Sequence, residues 1–402
     1  MAEKHKWEAA GEPKEYREVV HMKRLMMSVM EGKASQWNLI KIRLALLLLF
    51  LVFLSGIQVF AQDVPADLLA AVEKEGKTLN FYNWGEYIHP DIIPMFEEEY
   101  GIDVTYDTFG GQDELLAKIQ AAGGVYDLVV PTQDKGYIMK QQGLLQPLNH
   151  DWIPNMKNLM PKFIDPFYDP GNKYMMPWLW GFTVFAYNSK YVDLPFTDSW
   201  WLMYMGHVFD QRLSGKIAMM NEFPNDMYPA LKLLGYSLNT SDEKALMEMR
   251  EIMLAQKPGV VAYLPGSVVL KELISEDVWV AKLWNGKALR AKDENPAIRV
   301  VLPREGFELW ADQMCIPAGC AHPAAAHLFI NYIMRPAIGA MNATYNKYAT
   351  PYKTSLPYID EEDREDPVIY PSEEQLEPCE FALPHPLEVR EIYEAIWEEL
   401  VG

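Results

Sequence analysis

Three clusters joining an aromatic residue to a polar or acidic one stand far apart in the chain: Asn83-Trp84-Gly85-Glu86-Tyr87, Trp284-Asn285-Gly286 and Trp310-Ala311-Asp312, with Glu222 between the first two. A carboxylate beside an aromatic face offers an organic ammonium ion a charge-assisted hydrogen bond and a cation–π contact together. Such a pairing holds a cation without transforming it. No Gly-x-Ser-x-Gly elbow, phosphate-binding Gly-rich loop or His-Glu-x-x-His run is present, so nothing specific argues for an enzyme, a cofactor or a metal. His322 and His327 are five positions apart, a poor spacing for two ligands on one helical face, and surface or capping roles are expected for them. The sequence points to binding, not catalysis.

The elements that must position these residues alternate between strand and helix. Residues 68–75 read as a short helix, and residues 78–83 as a strand running into the Trp84 cluster. A helix at 90–100, with Glu97 to Glu99 on its solvated face, a strand at 103–108, a helix at 112–121 and a buried strand at 126–131 follow. This order predicts an α/β fold with a mainly parallel sheet flanked by helices. Ligands sit beyond the carboxyl ends of such strands, where Trp84 to Tyr87 and Thr132 to Asp134 fall. A second strand and helix series runs from Lys216 through Trp284 to Val301. The extended runs 175–188 and 309–317 lie between the two series, as a double crossing and hinge between two lobes. Helices are expected at 324–334, amphipathic and stopped near Pro336, and at 386–400. Trp178, Trp180, Trp200 and Trp201 are expected in the core, and the acidic run 360–366 in an exposed loop.

A chain of 402 residues, half of them hydrophobic, can bury more than one core. Lys41 and Arg43 precede the apolar run 44–54, and Val59-Phe60-Ala61 suits a signal peptidase. This reads as an export signal with a mature start at Gln62, or else as an uncleaved anchor; both place the rest outside the cytoplasm. The polar stretch 1–38 points to a true start at Met22 or Met30. Residues 1–61 hold 9 basic and 6 acidic residues, so the remainder carries about −23 against −20 for the whole chain. That field attracts cations and repels nucleic acid. Cys315, Cys320 and Cys379 all lie far from the signal, against a lipid anchor, and are expected as free or buried thiols.

In order and spacing, residues 81–87 (FYNWGEY), 126–132 (YDLVVPT), Trp180-Gly181, Trp284-Asn285-Gly286 and Trp310-Ala311-Asp312 resemble the spermidine/putrescine-binding proteins of bacterial polyamine transporters. The likeness extends from about Leu79 to the C-terminal helix. It implies the type II periplasmic-binding-protein fold, monomeric and without cofactor, whose cleft closes over a polyamine for delivery to the permease subunits of an ABC importer in the periplasm. Carried over by position, Trp84, Glu86, Tyr87 and Thr132 line one lobe. Glu222, Trp284 and Trp310 line the other, Asp312 meets an amine, and Tyr348 lies near the ligand. The expected lobes are 76–182 plus 312–355 and 183–311 plus 356–402.

The chain departs from the pattern in places. Gly85 stands for a small hydroxyl residue and Asp134 for a tyrosine. Asn225 takes the place of a carboxylate that Asp226 or Asp134 can supply, and Ala382 replaces a polar residue near one ligand end. A polyamine needs carboxylates at intervals and flat apolar walls between them, so the register of acids selects ligand length. Receptors for another organic cation or amino compound, a sensor feeding a membrane signalling protein, and a secreted enzyme on a related scaffold remain the alternatives.

Overall fold

The first strand buries Leu79, Phe81, Tyr82 and Asn83 and delivers the half-exposed Trp84 to its carboxyl end. In the computed structural model, which describes residues 64–121 and 124–402, ten strands follow this logic. They are β1 (Thr78–Trp84), β2 (Asp103–Phe109), β3 (Leu128–Val129), β4 (Met175–Asn188), β5 (Ile217–Met220), β6 (Val260–Leu264), β7 (Val280–Trp284), β8 (Ile298–Val301), β9 (Glu308–Cys315) and β10 (Glu380–Phe381). The expected export segment lies outside the described residues. Among the described residues, no helix is long and apolar enough to cross a membrane.

The strands run in the order β2-β1-β3-β9-β4-β7-β5-β6, with β8 on β4 and β10 on β9. The fold is two-lobed and α/β. Strands β1, β2 and β3 are parallel to one another, as are β5, β6 and β7. Strand β4 belongs to both groups: residues 175–182 pair antiparallel with β9, and residues 183–188 pair antiparallel with β7 and β8. The carboxyl ends of β1, β3, β5 and β7 converge on one region, so every loop that follows them can reach a shared ligand.

Several local expectations change. Strand β3 is shorter than its apolar run because Pro131 has no N–H to donate and Asp127 turns aside, accepting from the backbone amides of Asn80 and His322 at 2.8 and 2.9 Å. The helix Pro323–Ile333 is buried on every face, since the helix Ala66–Glu75, β1 and the turns at His150–Trp152 and Pro154–Asn158 all pack on it. That helix stops just before Pro336, as expected, and Pro336 then opens a further helix, Pro336–Asn346. His327, expected in a surface or capping role, is buried, with its Nε2 accepting from the Asn149 amide at 2.8 Å. Glu97 and Glu99 do more than face solvent: Glu97 accepts from the Val104 amide at 3.0 Å, and Glu99 pairs in bidentate fashion with Arg335. Trp201 is about two-fifths exposed because its neighbour Trp200 takes the core position, donating to the Gly306 carbonyl at 2.9 Å. The acidic run contains a short helix, Glu361–Glu365, and Asp363 pairs with Lys347 at 2.7 Å. The three cysteines are free thiols.

Candidate ligand-binding site

Side chains from both strand groups enclose a cavity of about 340 Å³. The structure brings Trp84, Glu86, Tyr87, Thr132, Asp134, Glu222, Asn225, Trp284, Trp310, Asp312 and Tyr348 to its wall, but not Ala382, expected near one ligand end, which is buried with its carbonyl accepting from Gln133 at 3.3 Å, nor Asp226, which pairs with Lys282. Trp84 and Glu86 sit on the turn after β1, where Glu86 adopts a left-handed φ of 53°, a conformation with a modest cost for a non-glycine residue. Trp84 meets Trp284 edge to face, with ring centroids 6.0 Å apart. Tyr348 stands edge-on to both Tyr87 and Trp310, at 5.8 and 5.0 Å. Two glycines make this aromatic wall possible. A Cβ on Gly181 would lie 2.6 Å from the Trp310 ring, and one on Gly286 2.6 Å from the Tyr348 ring, both too close for any side chain.

Asp312 is only 4% exposed. Its Oδ2 accepts from the Tyr87 hydroxyl at 2.6 Å, whereas Oδ1 has no protein partner. Burial raises its pKa to about 7, against the lowering by the Tyr87 hydrogen bond. Glu222 opens toward the cavity yet is ringed by protein, and burial, with Asp226 nearby, pushes it up to about 8. Asp134 accepts from the Thr132 hydroxyl at 2.6 Å. The indole N–H groups of Trp84 and Trp310 are buried and likewise unpartnered. The wall is therefore flat and aromatic, interrupted by Asp312 and Glu222, whose charged forms burial disfavours.

Beneath Glu222, a fully buried Lys282 and Asp226 form an ion pair. The pair shapes the loop: Lys282 Nζ donates to the Asn225 carbonyl at 3.0 Å, and Asp226 accepts from the Glu222 amide at 2.9 Å. Asn225 donates its side-chain amide to Glu308, whose other oxygen accepts from Thr183 at 3.1 Å. Glu308 is buried and raised by desolvation to about 8. The sequence reading passed over it, although Glu308, Trp310 and Asp312 alternate along β9 and so share one face. It also missed three cations on the cavity wall, Lys135, Lys287 and Arg290. Lys135 pairs with Asp113 at 2.8 Å, and Arg290 with Glu86 at 3.4 Å. Lys287 and Arg290 are three apart on the helix Asn285–Glu294, which starts directly after Trp284; that spacing was the available signal.

A family model described as bacterial extracellular solute-binding protein matches residues 91–367. The chain belongs to that family. Within reach of this solute-binding chain is the spermidine/putrescine-binding periplasmic protein of Escherichia coli (strain K12), 30% identical over 317 residues, which cover 78% of this chain and 88% of the relative. The putrescine-binding periplasmic protein PotF of the same organism is 31% identical over 333 residues, covering 79% of this chain and 89% of PotF. Among solved structures, the spermidine/putrescine ABC transporter substrate-binding protein PotD from Streptococcus pneumoniae superposes with a TM-score of 0.71 at 29% identity, over 81% of this chain and 98% of PotD. The family and these relatives are solute-binding receptors.

Proposed function

We propose that this solute-binding protein is an exported, monomeric receptor that captures a linear polyamine in the cavity between its lobes and presents it to the permease subunits of an ABC importer. The observation that carries the reading is Asp312. A buried carboxyl with one oxygen unpartnered, walled by Trp310, Tyr87 and Tyr348, is costly in its charged form unless a cation meets it. An ammonium at Oδ1 restores the charge while the aromatic faces cover the adjoining methylenes. Glu222 and Asp134 supply the next positions in the register, and Trp84 and Trp284 close over the chain. The likeness to spermidine- and putrescine-binding relatives supports the ligand class, and the overall charge disfavours a nucleic-acid partner. Closure between a lobe of residues 76–182 and 312–355 and a lobe of residues 183–311 and 356–402 couples capture to recognition by the importer.

Mass spectrometry of small molecules released from denatured protein, followed by calorimetry with putrescine, cadaverine, spermidine and spermine, tests this. Absence of both heat and thermal stabilisation with all four would sink the polyamine reading. One observation favours a second reading, an amine that also bears a carboxylate. Lys287 lines the cavity with its pKa lowered by burial and by Arg290, and its ammonium has no ion-pair partner among the described residues. If an ω-amino acid such as 4-aminobutyrate binds and the four polyamines do not, that second reading replaces the first.

A further inference from the structure

A second cavity, of about 450 Å³, adjoins the first. Asp113, Asp134, Lys135, Phe223 and Pro224 belong to the walls of both, so the two cavities share a partition. Beyond that layer the walls come from residues 383–385 and from the C-terminal helix Leu387–Val401. The chemistry of the first cavity recurs here. Phe223 packs on Trp397 with ring centroids 5.9 Å apart, and His385 lies 6.0 Å from Tyr228 and 4.8 Å from Tyr393. Glu394 and Glu398, one helical turn apart, add carboxylates to the same wall.

The charges favour a cation. Four carboxylates, Asp113, Asp134, Glu394 and Glu398, face two bases, Lys135 and Arg390. Arg390 pairs with Glu394 at 3.7 Å, leaving Glu398 free of that pairing. In the partition Lys135 pairs with Asp113 at 2.8 Å, so Asp134 and Glu398 are the two carboxylates of this wall outside either ion pair. Tyr393 is 1% exposed and its hydroxyl has no protein partner. A buried hydroxyl left unpaired is costly, and its oxygen can accept from an amine.

We propose that the second cavity is the far end of the ligand site, so that the receptor takes one linear polyamine long enough to pass the partition, with one terminal ammonium at Asp312 and the other between Glu394 and Glu398. The inference rests on the polyamine reading. A diamine fills only the first cavity; a tetraamine reaches the second.

Calorimetry of the full chain with putrescine and spermine tests it, on the wild type, on Glu394→Gln/Glu398→Gln, and on Leu383→Trp, which fills the second cavity from a position already 38% exposed. Spermine is expected to bind more tightly than putrescine at one molecule per chain. Both variants are expected to weaken spermine about tenfold while putrescine stays within about twofold, the first through lost part-exposed charge contacts and the second by filling the cavity; thermal melts confirm folding. Spermine no tighter than putrescine, two spermines per chain, or equal losses for both ligands would overturn the proposal. Silence from both ligands overturns it too, but through failure of the polyamine reading itself, a result distinct from putrescine binding alone.

Discussion

Replacing Asp312 by asparagine keeps the side chain nearly isosteric and removes only its charge. Tyr87 still has an oxygen to donate to, so the hydrogen bond of 2.6 Å survives in neutral form. The ligand's ammonium, however, loses its countercharge in a setting only 4% exposed. Truncating one partner of a buried, hydrogen-bonded charge pair weakens binding by about 2–5 kcal/mol, roughly 30- to 4000-fold in affinity. With a pKa of about 7, about half the free protein carries a proton on Asp312 at pH 7, and displacing it costs the wild type only about 0.4 kcal/mol.

The free protein should respond in the opposite sense. Raising this carboxyl from 3.8 to about 7 sets about 4 kcal/mol, as an upper bound, against its charged form. The folded state then holds the proton more tightly than the unfolded state, so the wild type loses stability as pH rises from about 4 to about 7. Asp312→Asn lacks this loss. Its stability advantage over wild type should grow across that window and level off above it. Calorimetry with spermidine and putrescine, and melts from pH 4 to 8 without ligand, separate the two effects. A folded Asp312→Asn protein with affinity within about threefold of wild type refutes the amine contact and moves charge recognition to Glu222, Asp134 or Glu86.

Three further outcomes are expected. Because Glu222 sits at about 8 and Asp312 at about 7, an incoming ammonium should expel about one proton at pH 7; binding enthalpies that do not differ between phosphate and Tris buffers would count against this. Lys282→Met strands Asp226 beneath the cleft and should lower stability by about 3–5 kcal/mol, largely recovered in Lys282→Met/Asp226→Leu; a denaturant titration showing less than about 1 kcal/mol for the single variant means the buried pair does not support the loop. Trp284→Ala should weaken a polyamine by about 0.5–2 kcal/mol, with a smaller change in melting because the ring is half-exposed; unchanged affinity removes Trp284 from the ligand wall.

Local patterns carried much of the fold. Alternation along residues 78–84 and the helical period of residues 112–121 are written into nearest-neighbour chemistry, and the parallel order of β1, β2 and β3 follows from the strand–helix sequence itself. The aromatic–acid clusters were legible for the same reason: Trp84, Trp284 and Thr132 lie at or just beyond strand ends, where this topology gathers its loops. Even Glu308 was within reach, since its two-residue rhythm with Trp310 and Asp312 puts all three on one side of β9. What tertiary structure alone decided was pairing and desolvation. His327 and the helix around it are buried because segments more than 150 residues earlier cover them. Lys282 becomes a support of the cleft only when β7 lies beside the loop that carries Asp226, 56 positions away. The raised pKa of Asp312 and Glu222, and the second chamber against the C-terminal helix, arise from surfaces brought together across the whole chain. A one-dimensional pattern records which face a residue shows, but the free energy of a charge depends on everything that packs around it.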